Sequence, residues 1–385
     1  MSMHLFIVDK KTFPIHLKYM FAGTGCSYGS IISDTNNSFN NLKSNSSGKN
    51  KYSWAKERSI CGMIADASRI RKGDKIAFYC TGINKFYGIF RAKDISFLEG
   101  QGSYLEKDLN KCLFLRVLIE ADKVYSDGKL EWDVVDRFSN SGKSIDLLWS
   151  IIYRKLGGNR GNTVLNKHEE KLITKILQKK NTCISCSPKA HFKFNEDKIE
   201  IEKDKSVYCS QKKINIDILP RLIYKYNKNQ SFETHLQAYL TQNIEINIEL
   251  KKIFNIQQLN WIGNEIYCSM GGRRIDIMID VLDQNNKSIL YPIELKDEEI
   301  KLGITNQLQK YLNWLEIYYL PSKEHKTKKI IPVIIAKYQK EFDKEVKDEF
   351  KKFNKQNRKI CDSIKCIGFY LNNTGTDIVF EEMFY

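Results

Sequence analysis

The sequence predicts a chain of mixed α and β structure (α+β overall), with an α/β plan in its C-terminal part. In residues 231–385, helix-like segments alternate with apolar strand-like segments after a β-hairpin, a pattern typical of a mixed sheet with helices on both faces. Residues 1–180 instead combine short strand-like runs with a few helices. Residues 181–230 are polar, charged and interrupted. We interpret them as a linker or small insert between two domains.

Local patterns assign the elements of the N-terminal part. Strands are predicted from HLFIV, LFLRVLIEADKVY and KGDKIAFYCTGINKFYGIFRAKDI, the last as two strands around a turn. Helices are predicted from ERSICGMIADASRI, SIDLLWSIIYRKL and NKHEEKLITKILQKK. Asn166 is a plausible cap of the third helix, since acidic residues follow it. The Asn- and Ser-rich stretch from Ser33 to Asn50 predicts a long mobile loop.

The C-terminal part begins with a predicted helix and then the hairpin. The helices are expected in SFETHLQAYLTQNIEINIELKK, NQLQKYLNWLEIYYL and EFDKEVKDEFKKFNKQ. The later strands are expected in KIIPVIIAKY and IKCIGFYLN.

Charge is distributed unevenly along the 385 residues, whose net charge is +16. Residues 1–180 hold 30 Lys and Arg against 18 Asp and Glu, whereas residues 231–385 hold 22 of each. A basic front and a neutral back indicate a front domain that contacts polyanions such as DNA. The alternative is that Lys- and Asn-rich composition is general to the source of the protein.

The sequence gives no sign of a membrane or secreted protein. No apolar run approaches the ~20 residues that span a bilayer, and the N-terminus lacks a signal-peptide pattern. We therefore expect a cytoplasmic protein with no membrane partner. Its cysteines should be mostly buried free thiols, although Cys183 and Cys186, with His191 and Cys209 downstream, leave a structural zinc site open.

The segment GGRRIDIMIDVLDQNNKSILYPIELK, residues 271–296, places charges where a strand should be apolar. A buried unpaired carboxylate costs several kcal/mol, so Asp276 and Glu294 need an explanation. Glu294 and Lys296 are two apart and share one face of their strand, and Asp276 can join them across the hairpin. Two convergent carboxylates suit Mg²⁺ (or Mn²⁺), and Lys296 beside the metal can orient or deprotonate water and stabilise negative charge.

Further residues can surround this trio. Glu233 lies beside the apolar face of the preceding helix, from which its carboxylate can reach the metal or position its water. Gln307 and Tyr311 are four apart on the following helix and therefore share one face. They could hydrogen-bond the lysine or a DNA phosphate.

These motifs resemble the PD-(D/E)xK nuclease superfamily, with Asp276 followed by ELK at 294–296. The Q-x-x-x-Y from Gln307 to Tyr311 is similar to the RecB-type branch, and residues 231–335 as a whole look like the nuclease domain of NucS-type endonucleases. The resemblance implies an Mg-dependent endonuclease. Its implied site residues are the catalytic Asp276, Glu294, Lys296, Glu233, Gln307 and Tyr311, the metal ligands Asp276, Glu294 and Glu233, and the phosphate-binding Arg273 and Arg274.

Two features depart from that pattern, and one alternative stays open. Pro292 should interrupt the ladder of the second strand, and Asp280 is a competing acid on the face of Asp276. We prefer Asp276 because it follows the glycine–arginine turn. The alternative is a non-catalytic α/β domain in which Asp276 and Lys296 form a buried ion pair.

Residues 51–92 and 147–173 resemble an EVE domain of the PUA/YTH-like group, a match that covers about residues 1–178. The resembling features are a tryptophan, an amphipathic helix, KGD, an apolar strand and FYGIFRA. The resemblance implies a small β-barrel with flanking helices and an aromatic-edged pocket for a nucleobase. The candidate base-binding residues are Trp54, Tyr79, Phe86 and Thr81, or Ser53, since aromatic faces stack on bases. The alternative is that the aromatic residues fill the core of the barrel. The candidate phosphate-binding residues are Lys56, Arg58, Arg69, Arg71, Lys72, Arg154 and Arg160.

Together these features predict a DNA endonuclease that recognises a modified base, as in modification-dependent restriction of phage DNA. A mismatch or repair endonuclease and a non-catalytic nucleic-acid reader remain alternatives. Because double-strand cleavage needs two active sites, a homodimer is expected.

Overall fold

The computed structural model describes residues 1–25, 54–99, 104–134, 161–211, 213–268, 272–322 and 329–385; for residues 54–56 it describes the backbone alone. The chain divides into two compact units, Met1–Asp217 and Ile218–Tyr385. Both contain helices and strands, so the predicted α+β class is confirmed. The predicted loop at 33–50 and the predicted helix SIDLLWSIIYRKL lie outside the described residues.

The first unit is rich in strands. Its described strands are β1 (Met3–Asp9), β2 (Phe21–Thr24), β3 (Lys75–Thr81), β4 (Lys85–Ala92), β5 (Phe97–Glu99), β6 (Leu115–Ala121), β7 (Val124–Tyr125), β8 (Lys129–Leu130), β9 (Asn162–Leu165), β10 (Cys183–Ser185), β11 (His191–Asn195), β12 (Lys198–Glu202) and β13 (Lys213–Asn215). Its described helices are α1 (Phe13–Tyr19), α2 (Trp54–Ser68), α3 (Glu106–Leu109) and α4 (Lys167–Gln178). Asn166 caps α4 as predicted, and Glu169 completes a capping box with it.

A half-barrel sheet forms the centre of the first unit, with strand order β13–β5–β6–β4–β3–β1–β9. Strands β2 and β8 pair with the interior strands β6 and β4, respectively. The KGD motif has a structural role, because Asp74 accepts hydrogen bonds from the backbone N–H groups of Ser2 and Arg71 and contacts the His4 ring. This buried carboxylate joins the start of β1 to the turn before β3.

The second unit has an α/β arrangement. Its described strands are β14 (Gln258–Tyr267), β15 (Arg274–Leu282), β16 (Ser288–Leu295), β17 (Lys329–Ile330), β18 (Val333–Lys337), β19 (Lys365–Leu371) and β20 (Ile378–Met383). Its described helices are α5 (Leu219–Asn227), α6 (Glu233–Asn243), α7 (Ile248–Ile253), α8 (Thr305–Trp314) and α9 (Lys344–Asn357), with a π-helical turn at Leu315–Tyr319.

A mixed sheet organises this unit in the order β14–β15–β16–β18–β19–β20, with β17 beside β16. Strands β14, β15 and β16 are antiparallel neighbours, whereas β16, β18 and β19 run parallel. Pro292 is paired with Met278 on the β15 side, whereas on the parallel side it lies where the pairing of β16 changes from β17 to β18.

Two predicted boundaries differ from the structure. Residues 181–230 are not a single linker, because β10 to β13 belong to the first unit and α5 belongs to the second. Polarity in this segment reflects short, half-exposed strands such as the β11–β12 hairpin. The predicted helix at 231–252 is broken into α6 and α7, because the Asn247 side chain accepts a hydrogen bond from Leu250 N–H and starts a new helix.

In the described part of the chain, no helix has both the length and the apolar character required to cross a bilayer.

Candidate active site

The two hairpin acids lie at the same end of their strands. The ladder between β15 and β16 pairs Ile277 with Ile293, so the next positions along it are Asp276 and Glu294. The ladder ends there because Leu295 N–H donates to Asp276 Oδ2 at 2.8 Å instead of to a backbone carbonyl. A carboxylate of β15 is therefore held against the backbone of β16.

Glu294 is buried, with 1% of its surface exposed, and both of its carboxylate oxygens have partners. Lys296 Nζ donates to Oε1, and Oε2 lies in hydrogen-bond contact with the Tyr311 hydroxyl. The same hydroxyl lies 2.8 Å from the backbone carbonyl oxygen of Arg274. Tyr311 therefore connects α8 to both hairpin strands.

The carboxylates concentrate negative charge around Asp276. Burial raises the pKa of the Asp276 carboxyl well above its ordinary value, and the charges of Glu294 and Glu233 raise it further. For Lys296, burial alone would lower the pKa, but the ion pair with Glu294, supported by Glu233 and Asp276, leaves it above the ordinary value. Lys296 is thus held as an ammonium, and Asp276 lacks a full counter-charge.

Glu233 and Gln307 occupy supporting positions. Glu233 is half-buried at the first position of α6, and the start of that helix is fixed because Asp297 Oδ2 accepts a 3.0 Å hydrogen bond from Phe232 N–H. Gln307 is half-buried on α8, one turn before Tyr311, and its side chain makes no hydrogen bond to the rest of the described chain. Glu233 thus lies close enough to Asp276 for its charge to raise the pKa of that residue. Gln307 makes no described hydrogen bond to Asp276, Glu294 or Lys296.

Arg273 and Arg274, the two arginines predicted to bind phosphate in the second unit, differ in exposure and pairing. Arg273 is exposed. Arg274 is half-buried, forms an ion pair with Glu265 and lies with its guanidinium carbon 4.7 Å from the centre of the Tyr267 ring. Arg273 is therefore available to an anion, and Arg274 is already paired with an acid that the sequence prediction did not include.

Asp280, the competing acid, is separated from the site. It pairs with Leu290 in the ladder and accepts a 3.1 Å hydrogen bond from Ser288 Oγ. Four residues along a strand correspond to about 13 Å, so Asp280 lies too far along β15 to share a small ion with Glu294.

Sequence reasoning missed two residues beside Asp276. Gln237 on α6 is buried, and its amide nitrogen Nε2 lies 2.9 Å from the Asp276 carbonyl oxygen and 3.2 Å from Glu265 Oε1. Gln237 is four residues after Glu233, one turn along the same helix face. The four-residue spacing from Glu233 was the one sequence signal that could have pointed to Gln237. It did not reveal Glu265, the partner of Gln237 on β14.

The protein atoms at this site supply only some of the ligands that a hard cation needs. Among the residues placed by the structure, no group of three or more His, Cys, Asp or Glu side chains is arranged to hold a metal ion. Mg²⁺, however, is usually bound by one or two carboxylates together with water and phosphate oxygens. Asp276 and Glu294 supply two adjacent carboxylates. Burial, and after it the charges of Glu294 and Glu233, raise the pKa of Asp276, and a cation would offset those charges. These residues therefore fit Mg²⁺ or Mn²⁺.

Three side chains of the predicted base pocket lie in the described part of the chain, and among them the rings of Tyr79 and Phe86 are 4.9 Å apart. Phe86 is a buried core residue, so its assignment as a pocket wall is wrong: the β4 face that carries it packs against α4. The hydroxyl of half-buried Tyr79 donates to Glu131, and Thr81 Oγ donates to the Val8 carbonyl oxygen. The Trp54 side chain and Ser53 lie outside the described residues.

The predicted phosphate-binding residues of the first unit differ in exposure and in hydrogen-bond partners. Lys72 and Arg58 are exposed, and Arg71 is half-buried with its guanidinium on the Ser68 carbonyl oxygen. Arg69 is buried in hydrogen bonds to Asp66 and Asn162, so its assignment to phosphate is wrong. The Lys56 side chain, Arg154 and Arg160 lie outside the described residues.

A different group of aromatic residues is half-exposed on the first unit. We call Tyr19, Tyr104 and Tyr208 the tyrosine surface; the Tyr104 ring lies 6.1 Å from that of Tyr19 and 5.0 Å from that of Tyr208. Lys18 and Lys213, both exposed, lie 5.4 Å and 5.2 Å from the centres of the Tyr19 and Tyr208 rings. Alternation of aromatic rings and lysines is typical of surfaces that stack on bases and bind phosphates.

Two buried charges hold the tyrosine surface in place. The Tyr208 hydroxyl donates to Glu99 Oε2 and accepts a 2.7 Å hydrogen bond from Arg116. Glu99 and Arg116 each expose 1% of their surface. Sequence reasoning could not find this group, because Tyr208 lies in the segment interpreted as a linker.

Cys183 and Cys186 are exposed, and their Sγ atoms lie 3.5 Å apart. Within the described ranges neither His191 nor Cys209 completes a metal-binding group with them.

No family model and no curated protein matches the chain. Among solved structures, the chain is similar to the human THYN1 protein in complex with 5-methylcytosine containing DNA, with 10% identity and a TM-score of 0.26 over 47% of this chain and 99% of that chain.

Proposed function

We propose that this protein is an Mg²⁺-dependent DNA endonuclease whose second unit cleaves the phosphodiester bond. The observation that carries the proposal is the convergence of Asp276, Glu294, Lys296 and Tyr311 at one end of the β15–β16 hairpin. A buried ion pair alone would not need a second carboxylate beside it, because an extra buried charge costs stability.

Each residue then has a chemical role. Asp276 and Glu294 would hold Mg²⁺, and the ion would supply charge to polarise the phosphate and lower the pKa of water. Lys296 forms an ion pair with Glu294 at this end of the hairpin. We assign its ammonium group to stabilising negative charge at the phosphate. Tyr311 orients Glu294, and Arg273 contacts the DNA backbone.

The first unit is proposed to recognise DNA, with preference for a modified base. Residues 1–217 hold 37 Lys and Arg against 24 Asp and Glu, so this unit is the basic one. The tyrosine surface supplies half-exposed rings next to lysines, and Lys72 and Arg58 supply further exposed cations. Recognition linked to cleavage is the logic of modification-dependent restriction of phage DNA.

The proposal is tested by digestion of matched DNA substrates. Unmodified, 5-methylcytosine and 5-hydroxymethylcytosine DNA of one sequence are incubated with protein in Mg²⁺ or in EDTA. We expect Mg²⁺-dependent cleavage that is faster on a modified substrate and absent for Glu294→Gln.

Each contrary outcome points to a named alternative. Binding without cleavage of any substrate would indicate a non-catalytic nucleic-acid reader. Cleavage confined to mismatched duplexes would indicate a repair endonuclease. Equal cleavage of all substrates would contradict recognition of a modified base.

A further inference from the structure

Gln237 links three elements of the second unit at the candidate active site. Its side chain extends from α6, and its two amide hydrogens are directed to different strands: one to the Asp276 carbonyl oxygen on β15 at 2.9 Å, the other to Glu265 Oε1 on β14 at 3.2 Å. The pairs Asn264–Ile277 and Ile266–Ile275 place Glu265 directly opposite Asp276. Gln237 thus contacts both members of one cross-strand pair of acids.

A cross-strand pair of like charges is destabilising, so the two acids need separate restraints. Glu265 has a positive φ of 52° within its strand, which is uncommon for a residue with a side chain. Its carboxylate is held by the Gln237 amide and by the Arg274 guanidinium. The Asp276 carboxylate is held on the opposite side by Leu295 N–H. Gln237 and Arg274 therefore keep Glu265 in place while Asp276 is directed to β16.

The burial of Gln237 argues against a purely space-filling role. The side chain exposes 2% of its surface, and its Oε1 atom meets no hydrogen-bond donor. An unsatisfied buried amide oxygen costs stability, and an apolar side chain of similar length would avoid that cost. The two hydrogen bonds made by Nε2 are what distinguishes glutamine from leucine at this position.

We propose that Gln237 is a positioning residue that holds the backbone of Asp276 and the carboxylate of Glu265 so that Asp276 and Glu294 form the cation site. This inference rests on the proposed nuclease function. Residues that orient metal ligands typically change metal affinity or activity by about 10–100-fold when they are replaced. Gln237 does not touch the reacting atoms, so its effect is on how readily the site binds Mg²⁺.

The test compares Gln237→Leu and Gln237→Glu with the wild type and with the control Gln242→Leu, which makes the same substitution at another position on α6. Gln237→Leu removes both hydrogen bonds, whereas Gln237→Glu retains the size of the side chain but places a carboxylate beside Glu265 and Asp276. Three quantities are measured on the full chain: hydrogen exchange of metal-free β15, the Mg²⁺ dependence of the melting temperature, and the Mg²⁺ dependence of cleavage.

We expect both Gln237 variants to require about 10–100-fold more Mg²⁺ for half-maximal cleavage and for the metal-induced rise in melting temperature. Hydrogen exchange around Asp276 should accelerate in the metal-free variants, and saturating Mg²⁺ should restore most of the cleavage rate. Gln242→Leu should match the wild type in its Mg²⁺ dependence.

Unchanged Mg²⁺ dependence in folded Gln237 variants would overturn the proposal. A uniform loss of melting temperature at every Mg²⁺ concentration would also overturn it, because that result describes a purely structural residue. If the wild type itself neither cleaves DNA nor gains stability with Mg²⁺, the proposed function fails. Hydrogen exchange at β15 then still decides whether Gln237 restrains Asp276: unchanged exchange in the variants would refute that restraint as well.

Discussion

Replacing Asp276 with asparagine should stabilise the metal-free protein while abolishing cleavage. Asparagine retains an oxygen for the Leu295 N–H but carries no charge. Cross-strand neighbours have Cβ atoms about 5 Å apart, and two full charges at that distance repel by about 3 kcal/mol at an effective dielectric constant of 20. The Lys296 ammonium offsets part of the Glu294 charge. We therefore expect Asp276→Asn to gain about 1–2 kcal/mol in free energy of unfolding, within the range of ordinary single substitutions.

This gain has a characteristic pH dependence. Because the pKa of Asp276 is raised in the folded state, the ionised carboxyl costs stability at pH values above that raised pKa. The cost disappears as the pH falls through the raised pKa toward about 3.9, the ordinary value of an unfolded aspartate. The advantage of Asp276→Asn should be largest at pH 8 and should shrink as the pH falls.

Thermal melting in EDTA from pH 8 to pH 5 measures this effect. For a domain of 150–250 residues, about 1 kcal/mol shifts the melting temperature by about 2–4 °C. Added Mg²⁺ should reverse the order of the two proteins, since ligand at 100 times its dissociation constant stabilises a binding protein by about 2.7 kcal/mol. The variant lacks one of the two carboxylates and should gain little.

Asp280→Asn is the matched control, because Asp280 lies in the same strand with a hydrogen bond from Ser288 and away from Glu294. It should not raise the melting temperature and should retain the Mg²⁺ response. A metal-free Asp276→Asn protein that is no more stable than the wild type at pH 8, or whose gain is constant with pH, would refute the argument from charge.

Four further outcomes are expected. Lys296→Met should lower cleavage by about 10²–10³-fold with DNA binding retained, as measured by cleavage rates and filter binding. Tyr311→Phe, which leaves Glu294 Oε2 without its hydroxyl partner, should lower cleavage by about 10–100-fold, and a wild-type rate would contradict the role of Tyr311 in orienting that acid. Tyr104→Ala should weaken binding of the preferred substrate by about 1–3 kcal/mol and leave other substrates nearly unaffected, whereas Lys72→Ala should weaken all substrates equally in the same titration. Phe86→Ala should lower the free energy of unfolding by about 3–5 kcal/mol, and unchanged melting would return Phe86 to the list of pocket candidates.

The hairpin shows what could be predicted from the sequence. A strand alternates its side chains with a period of two, and the short polar turn at 283–288 makes the partner of each residue countable. The sequence alone therefore predicts that Asp276, Glu294 and Lys296 lie together. The cap of α4 at Asn166 was predictable for the same reason, since its partners lie within three residues.

Only the tertiary structure decided which charged and aromatic side chains remain accessible. Tyr79 and Phe86 are cross-strand partners, yet Phe86 is fully buried in the core against α4, and no local pattern identifies the layer that covers a strand. Arg69 pairs with Asn162, and Tyr208 with Glu99, across more than ninety residues of sequence. Gln237 and Glu265 likewise meet Asp276 from a separate helix and a separate strand. Periodicity shows which residues share a face, but burial and pairing depend on what packs against that face, and long-range folding alone determines that.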